Sequence, residues 1–216
     1  DVDGTMINVP HQLLKPTDKT IHALKEFQKP GNYIVVASAR GVKPECLDEI
    51  PFDGFIGCDG GYIEFHQEVL LNNVFSVKDL NLQNSVYEAT NGQYIINERA
   101  TSYFSDIDGE LIKKHLKLYN GTDKLPDDYD DHWRFQNIKA NTVTALFYNA
   151  KDLHEALDML PKEWSINAYD TGHIRMDVHP QGYTKGTACE YLYQKLKTGT
   201  YNIDAFYSKR YKRTVP

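Results

Sequence analysis

The amino-acid sequence predicts an α/β core that is interrupted by a second, α+β unit. Two observations lead to this prediction. In the first 61 residues, helical segments alternate with short apolar runs, which is typical of a parallel sheet covered by helices. After Gly61 this pattern gives way to a long, polar and tyrosine-rich stretch, until an amphipathic helix begins near residue 184. A chain of 216 residues is long enough for one large domain or two small ones.

The elements of the expected core follow in chain order. Thr17 is suited to cap a helix that Pro30 would end. The run 33–37 is short, apolar and β-branched, as in a strand that is buried on both faces. A turn-and-helix segment is predicted over 44–50, and the next strand over 55–58. Because helix and strand alternate with short connections, we expect these two strands to be parallel neighbours.

The stretch after Gly61 predicts a mixed set of elements. These are a hairpin over 62–71, a helix over 108–119, a polar loop over 120–132, a strand over 142–148, a helix over 152–160, strands over 165–169 and 173–178, and a last helix over 184–196. We expect residues 1–73 and 178–216 to form a discontinuous core domain, and residues 74–177 to form an inserted α+β domain.

The composition excludes several classes of function. The net charge of −6 argues against a nucleic-acid-binding protein, which needs a basic surface. The longest strongly apolar run, 33–37, has five residues, far fewer than the roughly 20 of a membrane helix. The opening Asp-Val-Asp does not resemble a signal peptide. Three scattered cysteines make a disulfide framework or a zinc site unexpected, so we expect a cytoplasmic protein. No pattern indicates an oligomeric state.

The segment Asp1–Thr5, of sequence DVDGT, is the first that can carry chemistry. Two carboxylates at positions i and i+2 of an extended segment point the same way, so they can flank one reacting group. Gly4 permits a sharp turn whose amides can bind anionic oxygens. Taken alone, such a motif is more often an acidic turn. The similar segment Asp106–Gly109 follows Ser105 rather than an apolar strand, and we interpret it as a helix start.

Two further segments place polar groups where a ligand would bind. Ser38 and Arg40 directly follow the apolar run 33–37, at the carboxyl end of the predicted strand, where open α/β sheets bind ligands. Lys185 stands at the start of the last predicted helix, where the helix dipole repels cations, so it has no local structural reason to be there. Each of these residues alone is commonly a cap or a solvated side chain.

Together these segments resemble the haloacid dehalogenase superfamily, and in particular its Cof-type phosphatases, which carry a large α/β cap after the third strand. DVDGT resembles the first motif, Ser38-Ala39-Arg40 the second, and Thr184-Lys185-Gly186 the lysine motif. The resemblance covers nearly the whole chain. It implies a Rossmann-like core with a parallel sheet and an inserted α+β cap domain.

The resemblance also implies roles for four catalytic residues. Asp1 would be the nucleophile that takes the phosphoryl group, and Asp3 the general acid for the leaving oxygen and then the base for water. Ser38 would donate a hydrogen bond to a phosphoryl oxygen. Lys185 would neutralise charge shared by the phosphoryl group and Asp1. This scheme is chemically sound because covalent catalysis divides one difficult displacement into two easier ones.

The remaining site residues implied by the resemblance bind the substrate and a metal ion. Arg40, Gly4 and Thr5 are expected to contact the substrate. Mg²⁺ is the expected cofactor, held by the carboxylate of Asp1 and the backbone carbonyl of Asp3, because a hard cation must separate acidic side chains from a phosphate.

The sequence departs from the family pattern at three places. Asp59 stands where an asparagine is usual. The family's nucleophile follows a buried strand, which the sequence given does not contain. The family's Gly-Asp-x-x-Asn-Asp motif follows a strand that ends much like residues 204–206, but no acidic residue follows Asp204 here. A chain with these departures is expected to hold Mg²⁺ poorly and to react slowly.

The function expected from the resemblance is Mg²⁺-dependent hydrolysis of a small phosphorylated metabolite, such as a sugar phosphate, through an aspartyl-phosphate intermediate. Two alternatives remain open. The chain could be a catalytically inactive relative that binds phosphorylated metabolites or a protein partner, or a sugar phosphomutase that returns the phosphoryl group to its substrate. A metal-binding carboxylate near Asp1 would argue against the first alternative, and release of free phosphate would argue against the second.

Overall fold

The structure is a computed structural model that describes residues 1–8, 11–120 and 138–198. Its elements in chain order are α1 Asp18–Phe27, β1 Val35–Ala37, a 3-10 turn Glu45–Leu47, β2 Gly54–Gly57, a 3-10 turn Cys58–Gly60, β3 Tyr62–Phe65, β4 Glu68–Asn72, α2 Val77–Ala89, β5 Gln93–Asn97, β6 Ser102–Phe104, α3 Glu110–Asn120, β7 Thr142–Leu146, α4 Ala150–Met159, β8 Ser165–Tyr169, β9 Arg175–His179 and α5 Lys185–Thr198. Most of the loop expected over 120–132 lies outside the described residues.

The chain divides into two compact units. The first, called here the core unit, comprises residues Asp1–Asn72 and Tyr183–Pro216, and the second, called the inserted unit, comprises Asn73–Gly182. The inserted unit ends at residue 182, five residues later than the sequence suggested. The reason is that β9 continues to His179 within the sheet of this unit.

The core unit is built on a sheet of order β1-β2-β3-β4. β1 and β2 are parallel neighbours, with Val36 opposite Phe55, as the alternation of helix and strand predicted. The following strands, β3 and β4, add antiparallel as a hairpin. Alternate residues of β2 enter different apolar clusters, since Phe55 packs with Ile21 of α1 while Ile56 packs with residues of α5. The strand is therefore buried on both faces, which explains its uninterrupted apolar sequence.

Local hydrogen bonds set the ends of these elements. Thr17 caps α1 as predicted, with its Oγ1 accepting the N–H of Thr20 at 3.2 Å. The strand predicted from residue 33 begins only at Val35, because the N–H of Ile34 donates to the Asp53 side chain at 2.7 Å instead of joining the sheet. The helix predicted over 44–50 is a single 3-10 turn.

The inserted unit is a five-stranded antiparallel sheet of order β6-β5-β7-β9-β8. α2 and α4 pack on one face, where Val86 and Leu153 join the largest apolar cluster. α3 packs on the other face through Leu111, Ile112 and Leu116. The sequence did not predict α2, β5 or β6. α2 has only a weak apolar periodicity, and its one clear signal is the capping box formed by Ser76 and Asp79.

The two ends of the inserted unit are joined to each other. The side-chain amide of Asn73 donates to the carbonyl oxygen of Gln181 at 3.3 Å, and the carbonyl of Asn73 accepts from the side chain of Asn141 at 2.8 Å. The chain therefore enters and leaves this unit at one place. Among residues 1–8, 11–120 and 138–198, no helix is long and apolar enough to cross a membrane.

A histidine pair connects α3 to the sheet of the inserted unit. His115 Nδ1 lies 3.0 Å from His173 Nε2, and the guanidinium of Arg175 lies 3.9 Å above the ring of Tyr169. Burial, His173 and Arg175 lower the pKa of His115 to about 4. Burial, Arg175 and Lys114 also lower the pKa of His173. Both imidazoles are therefore neutral at pH 7, so one can donate a hydrogen bond to the other.

We expect this pair to make the inserted unit sensitive to acid. Since the folded pKa of His115 is lower than the unfolded value of about 6.5, the unfolded chain binds more protons between pH 6.5 and about 4. The free energy of unfolding should have its full value above pH 6.5 and should fall by ~1–3 kcal/mol as the pH approaches 4. The range of this estimate allows for the partial exposure of the His115 ring. Urea unfolding followed by tryptophan fluorescence measures this, because Trp164 packs against the apolar cluster of the inserted unit, with its ring centroid 5.1 Å from that of Phe75.

His115→Phe keeps a ring at this position and should remove most of the pH dependence. The matched control is His22→Phe, which replaces an exposed histidine of α1 in the core unit. An identical loss of stability on acidification in His115→Phe and in the unmodified chain would contradict this prediction.

Candidate active site

The side chain of Val2, which lies between Asp1 and Asp3, anchors the Asp1–Thr5 segment in the core unit. Val2 is fully buried in the apolar cluster that also contains Val36 and Phe55. Its carbonyl accepts hydrogen bonds from the N–H groups of Thr5 and Met6, at 3.2 and 2.8 Å. Because the side chain of Val2 points into the core, the side chains of Asp1 and Asp3 lie together at the surface, as expected for positions i and i+2 of an extended segment.

Lys185 lies beside Asp1, although 184 positions separate the two in the chain. Lys185 Nζ is 3.3 Å from Asp1 Oδ1, which also accepts the N–H of Val2 at 2.9 Å. Lys185 is the first residue of α5, and Thr184 caps this helix by accepting the N–H of Thr187 at 3.2 Å. The structure therefore brings together the acidic motif and the lysine that the sequence singled out.

Asp3 is held by Arg40. The guanidinium donates two hydrogen bonds to the carboxylate, from Nε to Oδ2 at 2.9 Å and from Nη2 to Oδ1 at 2.8 Å. Such a bidentate, charge-assisted pair fixes both side chains. The hydrogen bonds from Arg40 hold the pKa of Asp3 below its usual range, and Asp3 raises the pKa of Arg40. In this arrangement Asp3 is ionised at neutral pH and can accept a proton, but it has none to donate.

Ser38 is fully buried directly after β1. Its N–H donates to Ile56 of β2 at 2.8 Å, and its Oγ accepts the N–H of Arg40 at 3.1 Å. A hydroxyl that accepts one hydrogen bond still has its own proton to donate. Ser38 thus shapes the turn that carries Arg40 and retains the chemistry needed to bind an anionic oxygen.

Gly4 and Thr5 contribute differently from what the sequence suggested. The N–H of Gly4 donates to Ile7 at 2.8 Å, and the N–H of Thr5 to Val2, so these amides close the loop and do not point at a ligand. Gly4 has φ 77°, the left-handed region that its lack of a side chain permits. Thr5 lines a cavity together with Asp1 and Lys185.

That cavity, of about 440 Å³, runs along β1 inside the core unit. Apart from the three residues just named, its lining is mostly apolar and includes Leu24, Phe27, Tyr33, Val35, Ala37, Phe52 and Cys189. Apolar walls lower the local dielectric constant, which strengthens the attraction between Lys185 and any negative charge beside it.

The structure adds Asp59 to the site, a residue that stands where the family pattern has an asparagine. Its Oδ1 lies 3.4 Å from Lys185 Nζ, on a turn that directly follows β2. In the sequence, the segment Asp59-Gly60-Gly61 directly follows an apolar run, as Ser38 does. The proximity of Asp59 to Lys185 depends on a contact across 126 positions, which no local pattern indicates.

The comparison with protein families decides which family the chain belongs to. A family model described as haloacid dehalogenase-like hydrolase matches residues 1–206. This chain belongs to that family. A comparison with curated protein sequences found no significant match.

Solved structures of haloacid dehalogenase-like hydrolases share the fold of this one. The phosphatase BT1666 from Bacteroides thetaiotaomicron is similar with a TM-score of 0.77 and 17% identity, over 94% of this chain and 73% of that one. BT4131, described as a subclass IIB sugar phosphatase, has a TM-score of 0.71 and 19% identity over 94% and 76%. TM0651 from Thermotoga maritima has a TM-score of 0.67 and 17% identity over 94% and 76%. These similarities confirm the Rossmann-like α/β fold of the haloacid dehalogenase-like hydrolases.

The donor atoms of this site suit a metal ion that is shared with a substrate. Within the described ranges, no three His, Cys, Asp or Glu side chains are grouped so as to hold a metal by themselves. Mg²⁺ commonly takes only one or two carboxylates and completes its shell with phosphate oxygens and waters. The carboxylate of Asp1 and the backbone carbonyl of Asp3 are oxygen donors of this kind, so the residues present fit Mg²⁺ when a phosphate group is bound.

The pair of Asp3 and Arg40 leads to a prediction about the titration of Asp3. In Arg40→Met the carboxyl group of Asp3 should titrate at a higher pH than in the unmodified chain, because the two hydrogen bonds that lower its pKa are lost. Carbon-13 NMR of the Asp3 carboxyl group measures this. Lys43→Met removes a cation whose partner is Asp48 and should leave the titration of Asp3 unchanged. An equal pH midpoint in all three proteins would show that Arg40 does not control Asp3 in solution.

Proposed function

We propose that this chain hydrolyses small phosphomonoesters by way of a phosphoryl group carried on Asp1. The observation that supports this most is the pairing of each motif carboxylate with a cation: Asp1 with Lys185 at 3.3 Å, and Asp3 with Arg40 through two hydrogen bonds. Two carboxylates alone would repel a phosphate dianion. The two cations offset most of the negative charge of Asp1, Asp3 and the neighbouring Asp59, and Arg40 can bind a phosphate directly. The site can therefore accept the substrate and still present a nucleophile.

The first step would be attack by Asp1. One carboxylate oxygen forms a bond to phosphorus while the bond from phosphorus to the ester oxygen breaks, and the leaving oxygen takes a proton. Lys185 stays beside Asp1 and offsets the negative charge that builds up between the attacking oxygen and the phosphoryl group. Such electrostatic stabilisation in a partly apolar site is a large contribution to catalysis.

The proton for the leaving oxygen would come from Asp3, which requires a change at Arg40. While Arg40 holds Asp3, the pKa of this carboxyl group is low and the residue has no proton to give. We propose that the incoming phosphate takes over the guanidinium, since Arg binds phosphate with the same bidentate geometry as carboxylate. Asp3 is then freer to bind a proton for the leaving oxygen, and afterwards accepts one from the water that hydrolyses the aspartyl phosphate.

Ser38 and the metal ion would complete the site. Ser38 would donate a hydrogen bond from its hydroxyl group to a phosphoryl oxygen, a role that its position after β1 supports. Mg²⁺, when bound by Asp1 and the carbonyl of Asp3, supplies positive charge to a transferring phosphoryl group.

The substrate we propose is a small phosphorylated metabolite, and a sugar phosphate is the first to be tested. The similar fold of BT4131, described as a sugar phosphatase, supports this choice. The inserted unit is proposed to act as a cap that selects the substrate and excludes water from the site.

The test is release of inorganic phosphate from para-nitrophenyl phosphate and from a panel of sugar phosphates, across Mg²⁺ concentrations. Magnesium-dependent release supports the proposal. Binding of a sugar phosphate without release would instead support an inactive relative. Movement of the phosphoryl group between two positions of a sugar, again without release, would support a phosphomutase.

A further inference from the structure

The turn that carries Asp59 has an uncommon backbone conformation. Cys58 and Asp59 have φ values of 51° and 54°, so two consecutive residues with side chains lie in the left-handed region, and Gly60 follows with φ 106°. Residues other than glycine rarely adopt this region, although aspartate and asparagine tolerate it better than most. Such backbone strain persists where the surrounding structure enforces it, often at functional sites.

Three contacts hold this turn against the site. The N–H of Asp59 donates to the carbonyl of Ser38 at 3.2 Å, and the N–H of Cys58 donates to the carbonyl of Arg40 at 3.0 Å. Gly60 packs against the start of α5 so closely that a Cβ atom there would lie 2.3 Å from the carbonyl oxygen of Thr184. The turn is therefore fixed to the segment of Ser38 and Arg40 on one side and to α5 on the other.

The result of these contacts is that Lys185 lies between two carboxylates. Its Nζ is 3.3 Å from Asp1 Oδ1 and 3.4 Å from Asp59 Oδ1. The side chain of Asp59 is 24% exposed, compared with 47% for Asp1. Asp59 is thus the more sheltered partner, where attraction to a cation is screened less by water.

We infer that Asp59 is a positioning residue that shares Lys185 with Asp1 and thereby keeps the carboxylate of Asp1 nucleophilic. Lysine carries a compact charge on a flexible stem. In this chain, whose turn carries an aspartate where the family pattern has an uncharged asparagine, the position of Lys185 therefore depends on two carboxylate partners. A second carboxylate, fixed by the strained turn, draws the ammonium group away from Asp1 and holds it at a constant place. This inference rests on the proposed function.

The inference predicts two effects of opposite sign when the charge of Asp59 is removed. The site becomes less negative by one charge, so a phosphate anion should bind more tightly. At the same time Lys185 keeps only Asp1 as a carboxylate partner and pairs more closely with it, which makes the attacking carboxylate less nucleophilic, so turnover should slow. If Asp59 only maintained the shape of the turn, its replacement would weaken phosphate binding and turnover together.

Asp59→Asn is the variant that tests this, because asparagine has nearly the same size and also tolerates the left-handed backbone. Calorimetric titration with inorganic phosphate and turnover of para-nitrophenyl phosphate are measured at one Mg²⁺ concentration. We expect the Kd for phosphate to fall about threefold to tenfold, the scale of one nearby charge in a hydrated site, and kcat to fall by about tenfold.

Two further variants make the result interpretable. Asp48→Asn removes an exposed carboxylate from the Lys43 pair in the same unit and should change neither quantity. Gly60→Ala forces the turn away from Thr184 and should raise the phosphate Kd and lower kcat together, which is the pattern of structural damage. Asp59→Asn behaving like Gly60→Ala, or like Asp48→Asn, would overturn the inference while leaving the proposed function intact. If the unmodified chain neither binds phosphate nor releases it from esters, the proposed function itself fails.

Discussion

Replacing Asp1 by asparagine is expected to lower kcat for para-nitrophenyl phosphate by at least about 1,000-fold, the scale observed when an enzyme loses its covalent nucleophile. An amide has almost the size of a carboxylate, but its oxygen is a far weaker nucleophile and carries no charge to pair with Lys185. Binding of phosphate should be retained or improved, since one negative charge is removed from the site. The measurement is steady-state turnover together with calorimetric binding of inorganic phosphate.

The chain provides a matched control for this variant. Asp106–Gly109 repeats the Asp-x-Asp-Gly pattern, but there Asp106 accepts the N–H of Asp108 at 2.9 Å in the turn before α3. Asp106→Asn can make the same turn contact and should retain full activity. Turnover in Asp1→Asn within a few-fold of the unmodified rate would mean that another group attacks phosphorus.

Replacing Lys185 by methionine should reduce kcat/KM by about 100-fold to 1,000-fold, the cost of removing one strong electrostatic contact to the transition state. The loss should be greater in kcat than in KM, because the charge that Lys185 offsets increases as the phosphoryl group is transferred. Without the ammonium group, Asp1 and Asp59 also repel each other and the incoming phosphate. Lys43→Met, which breaks a surface pair with Asp48, should leave both constants unchanged. An unchanged kcat in Lys185→Met would remove this residue from the mechanism.

The parts of the site that follow buried strands could be predicted from the sequence. Ser38 and Arg40 come directly after an apolar run, and the parallel pairing of β1 with β2 places that end of the strand beside the turn of Asp59. Lys185 was recognisable because a cation at the first turn of a helix is locally unfavourable. These predictions depend on residue type and on the position of a residue at the end of a strand or helix. Both can be identified in a short segment of sequence.

The contacts between these segments could not be predicted, because they depend on how distant parts of the chain meet. The sequence indicated that Arg40 lies near the site but not that it holds Asp3 by two hydrogen bonds. The position of the Asp59 side chain beside Lys185 depends on an unusual backbone conformation and on the close approach of Gly60 to α5, and neither could be predicted from the sequence. α2 was missed for a different reason: tertiary packing of Val86 and Tyr87 stabilises a helix whose own pattern is weak.

The joined ends of the inserted unit have an evolutionary consequence. Because Asn73 bonds to the backbone of Gln181, a different domain with equally close ends could be exchanged at this position without changing the path of the core chain. Asp1, Asp3, Ser38, Arg40, Asp59 and Lys185 all belong to the core unit and would be inherited unaltered. If the inserted unit selects the substrate as proposed, selection could act on ligand choice and on reaction chemistry as separate genetic traits, one by exchange of a whole insert and the other by single substitutions.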